Sequence, residues 1–139
     1  MNSIAGVWTL TSLKHTLTSG KTIYPMGRRP EGILILTKDG FMSVHLADGD
    51  RERFKKAGLF QGSLKERAGA YDSYVAYCGD YRVEGKRLFV EAKLSLFPNW
   101  KGTTQIRSFR LGKSTLSLWT RSFVFNGEEQ VAHLEWKRR

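Results

Sequence analysis

Cysteine is almost absent: Cys78 stands alone, so no internal disulfide can form and packing and sheet hydrogen bonds must hold the fold. That suits a reducing compartment, and a cytoplasmic protein is expected. Long apolar runs are missing as well. The most apolar stretch, 33–36, is far too short to span a bilayer, and residues 1–6 show no basic head followed by an apolar segment. No signal peptide, membrane anchor or membrane partner is therefore expected. The chain has no nucleophile-elbow, P-loop, dinucleotide or zinc-protease motif. His15, His45 and His133 lie too far apart to suggest a shared metal, and Asp39-Gly40 and Asp48-Gly49-Asp50 read as turns, with too few carboxylates for a calcium loop. No metal and no cofactor are expected.

Acidic residues are in deficit, thirteen against twenty-three Lys and Arg, for a formal net charge of +10. Such a charge attracts anions at long range. Its distribution is scattered, with local groups at Arg28-Arg29, 51–56 and 137–139 and no run of five or more. That is the pattern of a solvated surface. A basic nucleic-acid-binding barrel is the competing reading; the scatter, and the lack of strands mixing Lys or Arg with aromatics, argue against it.

What is present is a β pattern. The chain has 139 residues, 40% of them hydrophobic and 26% charged, enough for one domain, 1–139, that buries roughly two-thirds of its extended surface. Period-two alternation or β-branched runs recur at 4–13, 32–37, 41–46, 77–84, 87–97, 103–111, 114–125 and 128–137. Asp39-Gly40, Gly85-Lys86, Gly112-Lys113 and Asn126-Gly127 link neighbouring runs as tight turns. About eight strands in consecutive hairpins predict an all-β, closed up-and-down antiparallel barrel, because closure removes exposed edges. Its interior is expected to hold side chains and one small ligand. Between 47 and 76 the pattern changes. Ser63-Leu64-Lys65-Glu66 matches a capping box, and Leu64, Ala68, Tyr71 and Val75 recur at helical spacing, predicting one short helix near 64–75 as a lid or wall at the mouth.

Several residues are candidates for function. Gly6-Val7-Trp8 suits the closed end of a barrel, with Trp8 plugging the floor, Gly6 leaving room for it and a C-terminal basic side chain lying over its ring. Gln105, Arg107, Phe109 and Leu111 share one face of their strand; if it faces inward, Arg107 needs an acidic partner or the ligand, whereas outward it is simply solvated. Tyr71, Tyr74, Tyr77 and Tyr81 crowd the passage from helix to strand, as pocket wall or as ordinary core aromatics. His45 alternates with Phe41 and Ser43, opposite Met42, Val44 and Leu46, and fits either a cavity or an outer face. His133 reads as outer-facing and is the only candidate axial ligand for a haem barrel, a distant alternative.

An ordered series of short motifs goes further: Gly6-x-Trp8-x-Leu10-x-Ser12, Pro30-x-Gly32-x-Leu34, Asp39-Gly40-Phe41-Met42-Ser43-Val44, Tyr74-x-x-Tyr77-x-Gly79-x-Tyr81-x-Val83, Ser95-x-x-Pro98-Asn99-Trp100-x-Gly102-x-x-Gln105-x-Arg107 and Leu134-x-Trp136. Across nearly the whole chain this resembles the bacterial and fungal lipocalin-like domain family. The resemblance implies a calycin-like barrel whose interior accepts small organic molecules, in some relatives as cyclases or isomerases of natural-product pathways. It implies cavity positions at Ser43, Tyr77, Tyr81, Ser95, Trp100, Gln105 and Arg107. Relatives often carry a histidine where this chain has Val90-Glu91, so the resemblance implies that this chain either lacks the chemistry of that imidazole or replaces it with Glu91; alternating with Arg87 and Lys93, Glu91 reads more readily as part of a surface ion pair.

The resulting expectation is a cofactor-independent cyclase or isomerase acting on a small hydrophobic molecule of polyketide or polyene type, with room for an anionic group. Arg107, Tyr77 and Tyr81 are the catalytic candidates, acting by preorganisation. Ser43, His45, Tyr74, Ser95, Trp100, Gln105 and Phe109 are the ligand-binding candidates. The alternative is a carrier that holds its ligand unchanged; the oligomeric state is left open.

Overall fold

The computed structural model describes residues 3–56 and 58–139. The strands are β1 (Gly6–Leu17), β2 (Thr22–Ile23), β3 (Pro30–Leu36), β4 (Phe41–Asp48), β5 (Tyr74–Glu84), β6 (Arg87–Ser95), β7 (Thr104–Leu111), β8 (Thr115–Thr120), β9 (Phe123–Phe125) and β10 (Glu128–Arg138), with, among the described residues, one helix, α1 (Leu64–Asp72), and a single 3-10 turn at Pro98–Trp100. Hydrogen bonding runs in the order β2-β1-β3-β4-β5-β6-β7-β8-β10-β9, and β1 also pairs with β10. That last pairing closes eight strands into an antiparallel barrel, as the hairpin pattern predicts, with β2 and β9 as short additions.

The run expected at 114–125 is two strands, both lying on β10: β8 against 133–137 and β9 against 128–130. At the break the Thr120 hydroxyl takes the place of a ladder carbonyl, accepting from the Ala132 N–H at 3.0 Å. The tight turns expected at Asp39-Gly40, Gly85-Lys86, Gly112-Lys113 and Asn126-Gly127 all fall between paired strands. Asn126 (φ 53°) and Gly127 (φ 78°) both take the left-handed backbone that a primed turn requires.

One end of the barrel is solidly filled. Trp8, Leu36, Met42, Val90, Leu116 and Trp136 are essentially inaccessible to solvent. Trp8 donates from Nε1 to the Ile4 carbonyl (2.9 Å), and the Arg138 guanidinium lies 4.2 Å from its ring centroid while donating to the Ala5 and Ser3 carbonyls. Gly6 makes room for Arg138 more than for Trp8: a Cβ there would meet Arg138 Nη1 at 2.8 Å, with Trp8 Nε1 at 3.9 Å.

Two β-bulges decide which side chains enter the barrel. In β1 the register against β10 shifts between Leu10 and Ser12. The extra residue moves the buried set from Trp8 and Leu10 to Leu13, His15 and Leu17. Between β5 and β6 a shift after Cys78 pairs it with Leu94 and the next residue, Gly79, with Ala92. Gly79 permits this close approach, since a Cβ there would sit 1.7 Å from the Glu91 carbonyl oxygen.

The helix occupies 64–72, close to its expected span, and begins with the full capping box: Ser63 Oγ accepts from the Glu66 N–H, and Glu66 accepts from the Ser63 N–H. Its expected apolar stripe is not buried. No residue of α1 is buried among the described residues, Leu64 is 79% exposed, and Val75 belongs to β5. Nine residues with a single intervening Gly make a helix held by its cap and by Arg51, which donates to Ser73 Oγ and the Ala70 carbonyl.

Candidate functional site at the open end of the barrel

Towards the end formed by the segments 18–29, 49–73, 96–103 and 121–127, inward-facing side chains stop being fully buried. Leu46, Val75, Trp100, Gln105, Arg107, Thr120 and Phe123 are all half-buried. For side chains on the inner face of a closed ring, such exposure means that the barrel opens at this end.

The site is a patch on β5, β6 and β7 with the turn that joins the last two. On β7 the alternation that buries Phe109 also turns Gln105 and Arg107 inward, where they face Val90 and Leu88 of β6 and Thr120 of β8. On β5, Tyr77 is buried and pairs with Ser95. Trp100 closes the patch from the 3-10 turn, its ring edge-on to Tyr77 at 5.2 Å between centroids. Pro98 fixes the first residue of that turn, and the Thr103 hydroxyl donates to the Trp100 carbonyl at 2.6 Å.

A polar chain runs through the patch. Arg107 donates from Nη1 to the Ile106 carbonyl (3.0 Å) and from Nη2 to Gln105 Oε1 (3.4 Å), and Gln105 Nε2 donates to Thr103 Oγ1 (2.9 Å). Among the described residues, Arg107 has no carboxylate within ion-pair distance, and the three ion pairs present are all exposed ones: Arg29–Asp50, Arg82–Glu84 and Lys93–Asp80. Ser95 Oγ is buried with no hydrogen-bond partner among the described residues. The half-buried Arg107 has spare donors that can receive an acceptor oxygen, and Tyr77 and Trp100 supply an apolar wall; the orphaned Ser95 hydroxyl, seven residues along β6 from Leu88 opposite Arg107, is a separate donor beside Tyr77.

Of the residues singled out in the sequence, Tyr77, Ser95, Trp100, Gln105 and Arg107 come together here, with Phe109 deeper in the core. Tyr81 also faces inward, but its hydroxyl donates to the Thr37 carbonyl at 2.5 Å, towards the filled end. Burial, and then the charge of Asp39, raise its pKa and keep it protonated. Ser43, His45 and Tyr74 are on the outer face, which corrects their expected place in the cavity. Met42 and Val44 are the inward residues of β4, so Ser43 and His45 point away, and Tyr74 lies outside with His45, the two bonded through Nδ1 and the phenol oxygen at 2.6 Å. Tyr71, on α1, is exposed.

Glu91 is on the outer face, as its alternation predicts, but Lys93 bonds Asp80 across the strands at 2.8 Å instead of Glu91. Two described hollows lie outside the ring of strands: one of about 340 Å³ bordered by Ile33, His45, Arg51 and Tyr74, and one of about 520 Å³ between Lys55, Lys56 and Glu66. Neither is the enclosed apolar chamber expected from the sequence; at the open end Leu46, Val75, Trp100 and Phe123 pack, partly exposed, against the core.

Sequence reasoning missed His15 and Gln130, the buried polar pair of the inner face. His15 Nδ1 meets Gln130 Oε1 at 2.8 Å, Gln130 Nε2 donates to the Phe125 carbonyl, and the imidazole stands edge-on to Phe123 and Phe125. His15 shares the inner face with Leu13 and Leu17 only because the bulge between Leu10 and Ser12 shifts the buried set.

The chain is 34% identical over 89 residues, 58% of this chain and 80% of the relative, to the 4'-hydroxy-3'-methoxypropiophenone carrier protein of Aspergillus oryzae. Among solved structures it is similar to an asparagine-to-glutamine mutant of the fluorescent protein UnaG, at 13% identity and a TM-score of 0.40 over 97% of this chain and 95% of that one. The barrel assignment rests on the strand pairing and not on that likeness. A barrel with a mixed apolar and polar mouth is suited to binding a small molecule. The family described as lipocalin-like domain matches residues 5–139, and the chain belongs to that family.

Proposed function

We propose that this protein is a carrier for a small aromatic carbonyl compound, held in the open end of the barrel by β5, β6 and β7. The observation that carries this reading is Arg107: half-buried on the inner face and without a carboxylate partner among the described residues. A carbonyl oxygen of the ligand accepts from Arg107, and its ring extends towards Tyr77 and Trp100. The chemistry matches the aryl ketone in the name of the Aspergillus relative.

The test is a titration of tryptophan fluorescence with 4'-hydroxy-3'-methoxypropiophenone. Saturable quenching is expected in the native protein. Arg107→Leu, with its circular dichroism unchanged, is expected to weaken binding about tenfold to hundredfold, because a hydrogen bond to a charged group contributes ~1.5–3 kcal/mol. Equal affinity in the two proteins would remove Arg107 from the account.

A cyclase or isomerase would use the same groups, with Arg107 and Tyr77 on a developing oxyanion. The carrier reading is preferred because Tyr81, the third catalytic candidate, already spends its hydroxyl on Thr37. Mass analysis after incubation separates the two, since a carrier returns its ligand unchanged.

A further inference from the structure

The segment 49–63 presents two large apolar side chains to solvent on a built turn. Leu59 is 85% exposed and Phe60 is 90% exposed. The turn that carries them is closed twice: the Gln61 N–H donates to the Gly58 carbonyl at 3.0 Å, and the Gly58 N–H donates to Gln61 Oε1 at 3.1 Å. The segment is tied to the helix by the Lys55 N–H on Glu66 Oε2 and packed at its base by the Phe54 ring against Gly62, where a Cβ would meet the ring at 2.7 Å. Leu64, 79% exposed, follows at the start of α1. Leu59 and Phe60 contribute nothing to the core, so a structural role does not account for them.

Charge surrounds this tip. Arg51, Arg53, Lys55, Lys56, Lys65 and Arg67 lie within 49–73, and the segments that form the open end together carry eleven Lys or Arg against four Asp or Glu. Leu96, Phe97 and Val124, in or beside the other open-end segments, are exposed apolar residues as well. We propose that the 49–64 segment docks the open end of the barrel onto an anionic lipid surface, with Leu59 and Phe60 entering the boundary of the acyl chains and the surrounding Lys and Arg meeting the headgroups.

A bilayer is favoured over a protein partner by shape. Two side chains at the corners of a turn form a convex point, which a deformable interface accepts, whereas a stable protein interface needs a contact of about 800 Å² per partner. Apolar insertion and attraction to acidic lipid act together, as neither alone gives firm binding. This departs from the expectation of no membrane partner, which rested on the lack of a spanning segment or anchor. Docking would set the mouth against the phase from which an apolar ligand enters, but the surface stands without the ligand reading.

The experiment is co-sedimentation of the full chain, without ligand, with vesicles of about two parts phosphatidylcholine to one part phosphatidylserine, and with vesicles of phosphatidylcholine alone. Binding is expected to the acidic vesicles, to be much weaker on the neutral ones, and to fall as salt is raised. Leu59→Ser with Phe60→Ser is expected to lower the partition coefficient about hundredfold, in line with the apolar surface removed. Lys55→Glu with Lys56→Glu is expected to abolish the preference for acidic lipid while leaving circular dichroism unchanged. Failure of the native chain to bind acidic vesicles would overturn the proposal. So would equal binding by the double serine variant, or a tip-dependent dimer in solution that does not bind vesicles. None of these outcomes bears on the fluorescence titration, so this proposal and the carrier reading fail separately.

Discussion

At the scale of the residue, His15 shows how the core tolerates a polar group. Burial holds its imidazole below its ordinary range; the hydrogen bond from its Nδ1–H to Gln130 Oε1 works in the opposite direction, and the charge of His133 adds a smaller push downward. The folded pKa is therefore below that of the unfolded chain, and on acidification the unfolded state takes up the proton first. The stability contributed by neutral His15 is complete above its ordinary value of 6.5. It declines as the pH falls through that value towards the lowered folded one. Urea denaturation between about pH 7.5 and about pH 5.5 is expected to show a smaller acid-side loss in His15→Asn than in the native chain. Identical slopes in the two proteins would mean that His15 is not the buried titrating group. Strict alternation from Trp8 would send His15 outward; the bulge between Leu10 and Ser12 reverses it. Ser95 is the parallel case. Alternation from Leu88 turns Leu94 inward, but the bulge beside Gly79 leaves Leu94 65% exposed and brings Ser95 opposite Tyr77. Bulges are set by contact between strands distant in sequence, so periodicity cannot locate them, whereas Gln105 and Arg107, on a strand without one, were legible directly.

At the scale of the element, turn chemistry was the part of the fold most openly written in the sequence. Asp39-Gly40 and Asn126-Gly127 need backbone angles that few residues adopt, and each falls where a hairpin turns. The helix was legible through Ser63 and Glu66 but not through its apolar spacing, because a capping box acts locally and burial depends on what the fold brings near. The division of β8 from β9 was not legible, since it depends on one hydroxyl meeting a strand distant in sequence. Thr120→Val keeps the shape of that side chain and leaves the Ala132 N–H, in a residue only 6% exposed, without its acceptor. A loss of about 1–3 kcal/mol in denaturant stability is expected, restored by Thr120→Ser. A change under ~0.5 kcal/mol would show that the hydroxyl is not needed to hold the corner.

At the scale of the whole molecule, the two ends of the barrel do different work. One end is packed around Trp8, Trp136 and Leu36 and tied to the termini through Arg138. The other leaves inward side chains partly open and gathers most of the excess positive charge in its connecting segments. Closure itself was legible, because eight strands in consecutive hairpins have few other ways to hide two edges. The outward turn of Ser43, His45 and Tyr74 was not, since the family motif gives order along the chain but not the face of the sheet. The account depends on a ligand meeting the inner face of β5, β6 and β7 instead of the outer hollow beside His45 and Tyr74. The direct measurement is a map of amide chemical-shift changes on adding 4'-hydroxy-3'-methoxypropiophenone to isotope-labelled protein. Changes centred on Tyr77, Ser95, Trp100, Gln105 and Arg107 are predicted; changes confined to Ile33, His45, Arg51 and Tyr74, or none at saturating ligand, would contradict it.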